Sequence, residues 1–259
     1  MIKKNGNCVL QAHRGVSSDY PENTLVAYRA AVELGYGMIE LDARFTSDNK
    51  CVMMHDLTLN RTTRNSDGTP LVEETKICDV KFDYVRSLDA GLHKGECFKG
   101  ELVPTLEEVL ELTIKTGVPL KFDNILEQYT PEQFDIFLST IDKMKAWENV
   151  GFTVKTVGFA KKILKVNKFA HIHFDGPLTD ENLKELSQIL KREQLTVWGR
   201  FDNETTSWCE VAPVDEAMAK RIHEFAELGV WLLNVKEEYD VAVNCLGASI
   251  VETNGTLKP

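Results

Sequence analysis

Short apolar runs alternate with amphipathic stretches along most of this chain. The runs at Cys8–His13, Met38–Ala43, Leu120–Asp123, Thr156–Phe159, His171–Asp175, Thr196–Arg200, Val230–Val235 and Ala248–Thr253 have the length and apolar content of buried strands. Between them, apolar residues recur at helical spacing. Thr105-Leu106-Glu107-Glu108 and Thr130-Pro131-Glu132-Gln133 are capping boxes, the second with Pro131 at the first helical position. Leu106, Val109, Leu110 and Thr113 line one face behind the first box. Phe134, Phe137, Leu138 and Ile141 do so behind the second. Leu183, Leu186 and Leu190 form a third stripe, and Met218, Ile222, Phe225 and Ala226 a fourth. Strands alternating with helices over 259 residues predict a (β/α)₈ TIM barrel. A doubly wound open sheet is the alternative. A dinucleotide-binding sheet of that kind carries a glycine-rich turn after its first strand, whereas here Gly15 is followed by Val16-Ser17-Ser18-Asp19.

One further extended run, Cys51–His55, follows the second strand by only a few residues. A parallel crossover needs a dozen or more residues, so this run should fold back as a hairpin on an extension of that strand. A turn near Ser47-Asp48 sets His55 roughly opposite Glu40. The turn-rich stretch that continues to Val103 reads as an insertion after the second strand, about 44–103, on one domain spanning 1–259. It is too long for a plain loop and should carry structure of its own.

The formal charge of −10 and the absence of any basic stripe argue against nucleic acid. Met1-Ile2-Lys3-Lys4-Asn5-Gly6 has no apolar core of the secretory kind, and no run is long enough to span a membrane. The expectation is a cytoplasmic protein with no stable membrane anchor. Six cysteines without C-x-x-C spacing read as reduced thiols rather than a zinc site or disulfide framework. Nothing in the pattern sets an oligomeric state.

Candidate chemistry gathers at the predicted strand ends. Glu40 and Asp42 stand at i and i+2 and share a face, which in a barrel is the interior. Two adjacent carboxylates repel unless protonated or bound to a cation, and a hard ion such as Mg²⁺ or Ca²⁺ suits them. In isolation, a Glu-x-Asp pair reads as two solvated acids. Its weight rises here because His13 also ends a strand and the hairpin brings in His55. Either histidine alone reads as structural, but together they suit a general acid–base pair. Arg14 offers a planar fork for phosphate oxygens or an ion pair with Glu22, and the two roles are compatible. Pro21-Glu22-Asn23-Thr24 opens a helix with Leu25, Tyr28, Ala31 and Val32 on its buried side, Pro21 and Asn23 shaping and capping the entry. His173 and Asp175 on the fifth strand point inward too, with core or supporting roles equally open.

In order, His13-Arg14-Gly15, Pro21-Glu22-Asn23-Thr24, Glu40-x-Asp42, Thr46-x-Asp48 and His55-Asp56…Arg61-Thr62-Thr63 resemble the successive blocks of the glycerophosphodiester phosphodiesterase family. Pro104-Thr105-Leu106-Glu107-Glu108-Val109-Leu110, Gly229–Asn234 and Gly247–Thr253 are similar to later blocks. The resemblance implies a TIM barrel with an insertion after the second strand. It also implies metal-dependent hydrolysis of small glycerophosphodiesters to glycerol 3-phosphate and an alcohol. By position, His13 and His55 would be the acid–base pair, Arg14 a phosphate contact, Glu40 and Asp42 metal ligands, and Trp231 an aromatic wall of the site. The third strand departs from the family. Where Glu-x-Lys is usual, this chain reads Lys121-Phe122-Asp123, so the charges are exchanged in height. Three outcomes stand open: Asp123 as third ligand with Lys121 a phosphate contact below it; a weak or absent metal site with Lys121 taking the cation's charge role; or a buried Lys121–Asp123 pair. Two other functions also stay open, a related phosphodiesterase or lyase acting on another phosphodiester such as a lipid headgroup, and a noncatalytic ligand-binding barrel.

Overall fold

The computed structural model describes residues 8–259, so the expectation drawn from Met1–Gly6 lies outside the described residues. The elements run β1 (Val9–Ala12), α1 (Leu25–Glu33), β2 (Met38–Leu41), β3 (Ala43–Phe45), β4 (Cys51–Met53), α2 (Phe82–Arg86), α3 (Leu106–Thr116), β5 (Leu120–Phe122), α4 (Pro131–Lys143), β6 (Val150–Val154), α5 (Val157–Val166), β7 (His171–Phe174), α6 (Asp180–Ile189), β8 (Leu195–Arg200), α7 (Glu216–His223), β9 (Glu227–Trp231), α8 (Lys236–Asn244) and β10 (Ile250–Thr253). Eight parallel strands close into a barrel in the order β1-β10-β9-β8-β7-β6-β5-β2. This is the predicted TIM barrel. The helices pack outside it through the expected stripes: both capping boxes form, and Phe134, Phe137, Leu138 and Ile141 are buried. Phe137 meets Phe122 edge-on at 4.9 Å between ring centroids, joining α4 to the outer face of β5.

β3 and β4 form the hairpin predicted after the second strand, antiparallel with Ala43 opposite Met53 and Phe45 opposite Cys51. The following stretch has a small core of its own, in which Val52, Met54, Leu59, Ile77, Val85, Leu88, Ala90 and Val103 are buried together.

Two strand expectations are corrected. Thr156–Phe159 is not a strand. The Thr156 hydroxyl accepts the Phe159 N–H and caps α5, whose Val157, Ala160 and Ile163 lie on one buried face. The barrel strand is Val150–Val154, buried at every position as a strand covered on both faces should be. The run read as Val230–Val235 sits earlier, at Glu227–Trp231, because β9 is registered on β8 from Thr196↔Glu227 to Arg200↔Trp231.

Candidate metal centre and surrounding mouth

Glu40 is the third residue of β2, and Asp42 follows that strand directly. Asp123 continues β5, its N–H bonded to the Leu41 carbonyl at 3.0 Å. These placements gather one carboxylate oxygen each from Glu40, Asp42 and Asp123 within 4.8 Å of one another. Glu40 and Asp42 are buried and Asp123 is half-buried. Burial, followed by the charge of Asp42, pushes the Glu40 carboxyl well above its ordinary range, and the same two causes raise Asp123. Three carboxyl groups crowded this closely, with Glu40 and Asp123 resisting ionisation, are what a hard divalent cation would relieve, and an all-oxygen donor set suits such an ion.

Asn23 holds Asp42 in this cluster. Its Nδ2 donates to Asp42 Oδ2 at 2.8 Å, and its Oδ1 accepts from the Asp42 N–H at 3.2 Å and the Tyr28 hydroxyl at 2.8 Å. Asn23 therefore does not cap α1. Thr24 does, accepting from the Ala27 N–H, while Asn23 takes a left-handed backbone (φ 55°) that turns its amide toward the barrel mouth.

The His13-Arg14-Gly15 turn presents three groups to the same cluster. Arg14 also has a left-handed backbone (φ 57°), and its N–H donates to Glu40 Oε2 at 2.9 Å. Such strain in a residue with a side chain is held by its surroundings. Its guanidinium lies between two acids, 3.0 Å from Glu22 and 3.4 Å from Asp42. Gly15 (φ 80°) is needed because a Cβ there would come within 2.7 Å of the Ala27 Cβ. His13 Nδ1 donates to Asn254 Oδ1 at 2.7 Å, leaving Nε2 directed toward Glu40 Oε2 at 3.9 Å. Burial lowers the His13 pKa, with the Glu252 carboxylate opposing that shift, so the neutral imidazole is favoured.

On the hairpin side, the His55 backbone carbonyl accepts from Arg44 Nε at 2.7 Å, and its Nδ1 donates to Asp56 Oδ1 at 2.7 Å. Arg61 clamps Asp56 at 2.7 Å and Glu22 at 2.7 Å. A series of ion pairs thus runs Arg14–Glu22–Arg61–Asp56 and ends on the hydrogen bond from His55 to Asp56. Burial works against the Glu22 charge, yet hydrogen bonds from Arg61 and the nearby Arg14 prevail and lower its pKa to about 2.

Lys121 does not reach Asp123. Its Nζ lies 2.9 Å from Glu252 Oε2 and 4.0 Å from the Trp198 ring centroid, and the residue is 5% exposed. Its register partner is Glu40, which places it inside the barrel, where a buried ammonium needs a carboxylate. The phosphate contact expected of Lys121 is not what this arrangement favours, and neither is a Lys121–Asp123 pair. His173 is a core histidine: its Nδ1 accepts the Trp198 indole N–H at 3.1 Å, and burial lowers its pKa well below the usual value. Asp175 stands at the mouth, accepting from the Trp231 indole at 3.2 Å, and burial raises its pKa to about 7. Trp231 in turn stacks obliquely with Trp208, ring centroids 6.4 Å apart.

Sequence reasoning missed Asn254 and Glu252. A signal existed for both. Asn254 directly follows the last strand, and Glu252 is a charged residue at an inward position of an otherwise apolar run. A cavity of about 460 Å³ opens beside the cluster, lined by His13, Arg14, Glu22, Asn234 and Asn254 among others. A larger one, about 560 Å³, lies at the opposite end of the strands near Leu10, Gly37 and Pro119. Its described lining holds no Asp, Glu or His side chain, whereas the smaller cavity carries His13 and Glu22.

The model of the glycerophosphoryl diester phosphodiesterase family matches residues 13–146, just over half of the 259 residues. A glycerophosphodiester phosphodiesterase of Caldanaerobacter subterraneus subsp. tengcongensis is 46% identical over 101 residues, 39% of this chain and 38% of that one. The aligned stretch is thus well under two thirds of that relative's length. Among solved structures, a putative glycerophosphoryl diester phosphodiesterase from Silicibacter pomeroyi superposes with a TM-score of 0.79 at 17% identity, covering 97% of this chain and 91% of that one. A phosphodiesterase from Oleispira antarctica, in complex with its product sn-glycerol-3-phosphate, gives 0.73 at 19% identity, covering 96% and 93%. At these identities the structural likeness concerns the fold.

Proposed function

The chain belongs to the glycerophosphoryl diester phosphodiesterase family, and on that premise we propose that it hydrolyses glycerophosphodiesters to glycerol 3-phosphate and an alcohol. The observation that carries the reading is the convergence of Glu40, Asp42 and Asp123 within 4.8 Å beside His13 and Arg14. In this reading the three carboxylates hold Mg²⁺ or Ca²⁺, which when bound supplies positive charge to a nonbridging phosphate oxygen. Arg14 adds a guanidinium on the same charge, preorganised by Glu22 and Asp42. His13 and His55 share the proton work. Each has Nδ1 anchored on an oxygen acceptor, which leaves Nε2 to take a proton from the nucleophile or give one to the leaving oxygen. The balance of protons is the same whether water or the glycerol hydroxyl attacks first. Trp231 walls the substrate, with Asp175 fixing its indole.

Among the described residues no helix is long and apolar enough to cross a membrane. The reading includes a cytoplasmic location, which six cysteines with no disulfide among the described residues support.

The experiment is a coupled dehydrogenase assay for glycerol 3-phosphate released from glycerophosphocholine and glycerophosphoethanolamine. We expect release with Mg²⁺ or Ca²⁺ and none with chelator. Tight binding of these diesters without release under any divalent ion would instead favour a noncatalytic barrel.

A further inference from the structure

Behind the three carboxylates, inside the barrel, lies a second charged group that the proposed chemistry does not use. Lys121 and Glu252 face each other across the interior, from β5 and β10, two strands separated in the ring by β2 and β1. Both are nearly fully buried, at 5% and 6% exposure. Gln11, the register partner of Glu252, donates through Nε2 to the same Oε2 at 3.0 Å. The Trp198 ring covers the ammonium from another side at 4.0 Å. Trp198 is itself fixed by its bond to His173. The ammonium is therefore clamped between a carboxylate and an aromatic face.

The clamp matters because of what else Lys121 could reach. Its register partner on the neighbouring strand is Glu40, one of the three clustered acids. A buried ammonium on a flexible stem seeks a carboxylate, and without Glu252 its strand-register partner Glu40 is the acid set beside it. An ammonium on Glu40 would neutralise the acid that a divalent cation needs and would repel the cation at contact. The Lys121 Nζ lies 2.9 Å from Glu252 Oε2 and 4.0 Å from the Trp198 ring centroid, so these two groups decide where its charge sits.

We infer that Glu252 is a positioning residue that draws the Lys121 ammonium across the barrel, away from Glu40, and so keeps the three-carboxylate centre open to a divalent cation. The inference rests on the metal-centre reading proposed above. It gives the last strand a part in a site whose ligands all come from the first half of the chain.

The test is calorimetric titration of metal-free protein with Mn²⁺ for the wild type, Glu252→Gln, Lys121→Met and the double variant, with circular dichroism as a check on folding. Glu252→Gln should weaken binding about tenfold, the scale of effect of a buried charge moved next to a cation site. Lys121→Met should not weaken it. The double variant should return to within about threefold of wild type, because the displaced charge is gone. A merely structural role predicts the opposite for the double variant, which would stay as weak as Glu252→Gln, and that result overturns the inference. So does unchanged affinity in folded Glu252→Gln. Should that variant fail to fold, Glu252→Asp decides: it keeps the charge but shortens its reach, so binding should weaken and recover when Lys121→Met is added. Wild-type affinity in Glu252→Asp would then count against the clamp. A wild-type protein that binds no Mn²⁺ would sink the metal-centre reading itself, and this inference with it.

Discussion

The two halves of the barrel end their strands differently. From β1 to β5, side chains at the mouth converge: His13 follows β1, Glu40 and Asp42 lie at the end of β2, and Asp123 follows β5. From β6 to β9 they turn to local tasks. Arg200 ends β8 and donates through Nε to the Val211 carbonyl of its own loop at 2.7 Å, while Asp175 fixes the Trp231 indole. The family model ends at Ala146, before β6 begins at Val150. In a barrel of parallel strands, neighbours in sequence are mostly neighbours in space. A compact site can therefore be written in one contiguous stretch, while closure and packing need all eight strands. Besides Asn234 on the cavity wall and the proposed Trp231 wall, the second half reaches the site through Glu252 of the last strand and Asn254 just beyond it. That strand sits next to β1, and it brings Asn254 to His13 and Glu252 to Lys121.

The largest expected effect separates the halves most sharply. His13→Ala and His55→Ala should each lower kcat for glycerophosphocholine by about 10²–10⁴-fold, the usual worth of a positioned acid or base. His173→Leu in the second half should leave kcat nearly unchanged. It should cost about 1–3 kcal/mol in denaturant unfolding, because the Trp198 indole loses its acceptor. Comparable kcat losses for His173→Leu and His13→Ala would erase the division.

This contrast also shows how much the sequence disclosed. The apolar alternation and the capping boxes at Thr105 and Thr130 were enough for the barrel, and the few residues between Asp42 and Cys51 were enough for the hairpin. Glu40 and Asp42 could be paired because i and i+2 in a strand share a face. The fourth strand was misplaced because Thr156–Phe159 is as apolar as a strand. Its helical continuation through Ala160 and Ile163 was the better guide. Asn23 was read as a cap because its true partner, Asp42, lies on another element. Lys121 was assigned to phosphate or to Asp123 because nothing local points across the ring to Glu252. Contacts between strands that are not adjacent depend on closure, and closure is not written at any one position.

A smaller effect sharpens the picture of the second half. Asp175 titrates near 7 in the folded chain against an ordinary value of 3.8. Between these values the folded chain holds a proton that the unfolded chain has released. The contribution of Asp175 to stability is thus fully present below 3.8 and is lost as pH rises through about 7. Asp175→Asn removes this loss. Thermal melts in chelator should show a higher Tm than wild type at about pH 8 and no gain at about pH 4. A pH-independent difference would mean that Asp175 is not held as a buried acid.

The central claim of the proposed function is that the first half alone supplies a three-carboxylate metal centre, with Asp123 as its third carboxylate. Anomalous scattering from a crystal soaked in Mn²⁺ tests it most directly. The account predicts a peak in coordinating contact with Glu40, Asp42 and Asp123, while Lys121 remains on Glu252. A peak bound by Glu40 and Asp42 with Asp123 turned away, or no peak among the three, would contradict it.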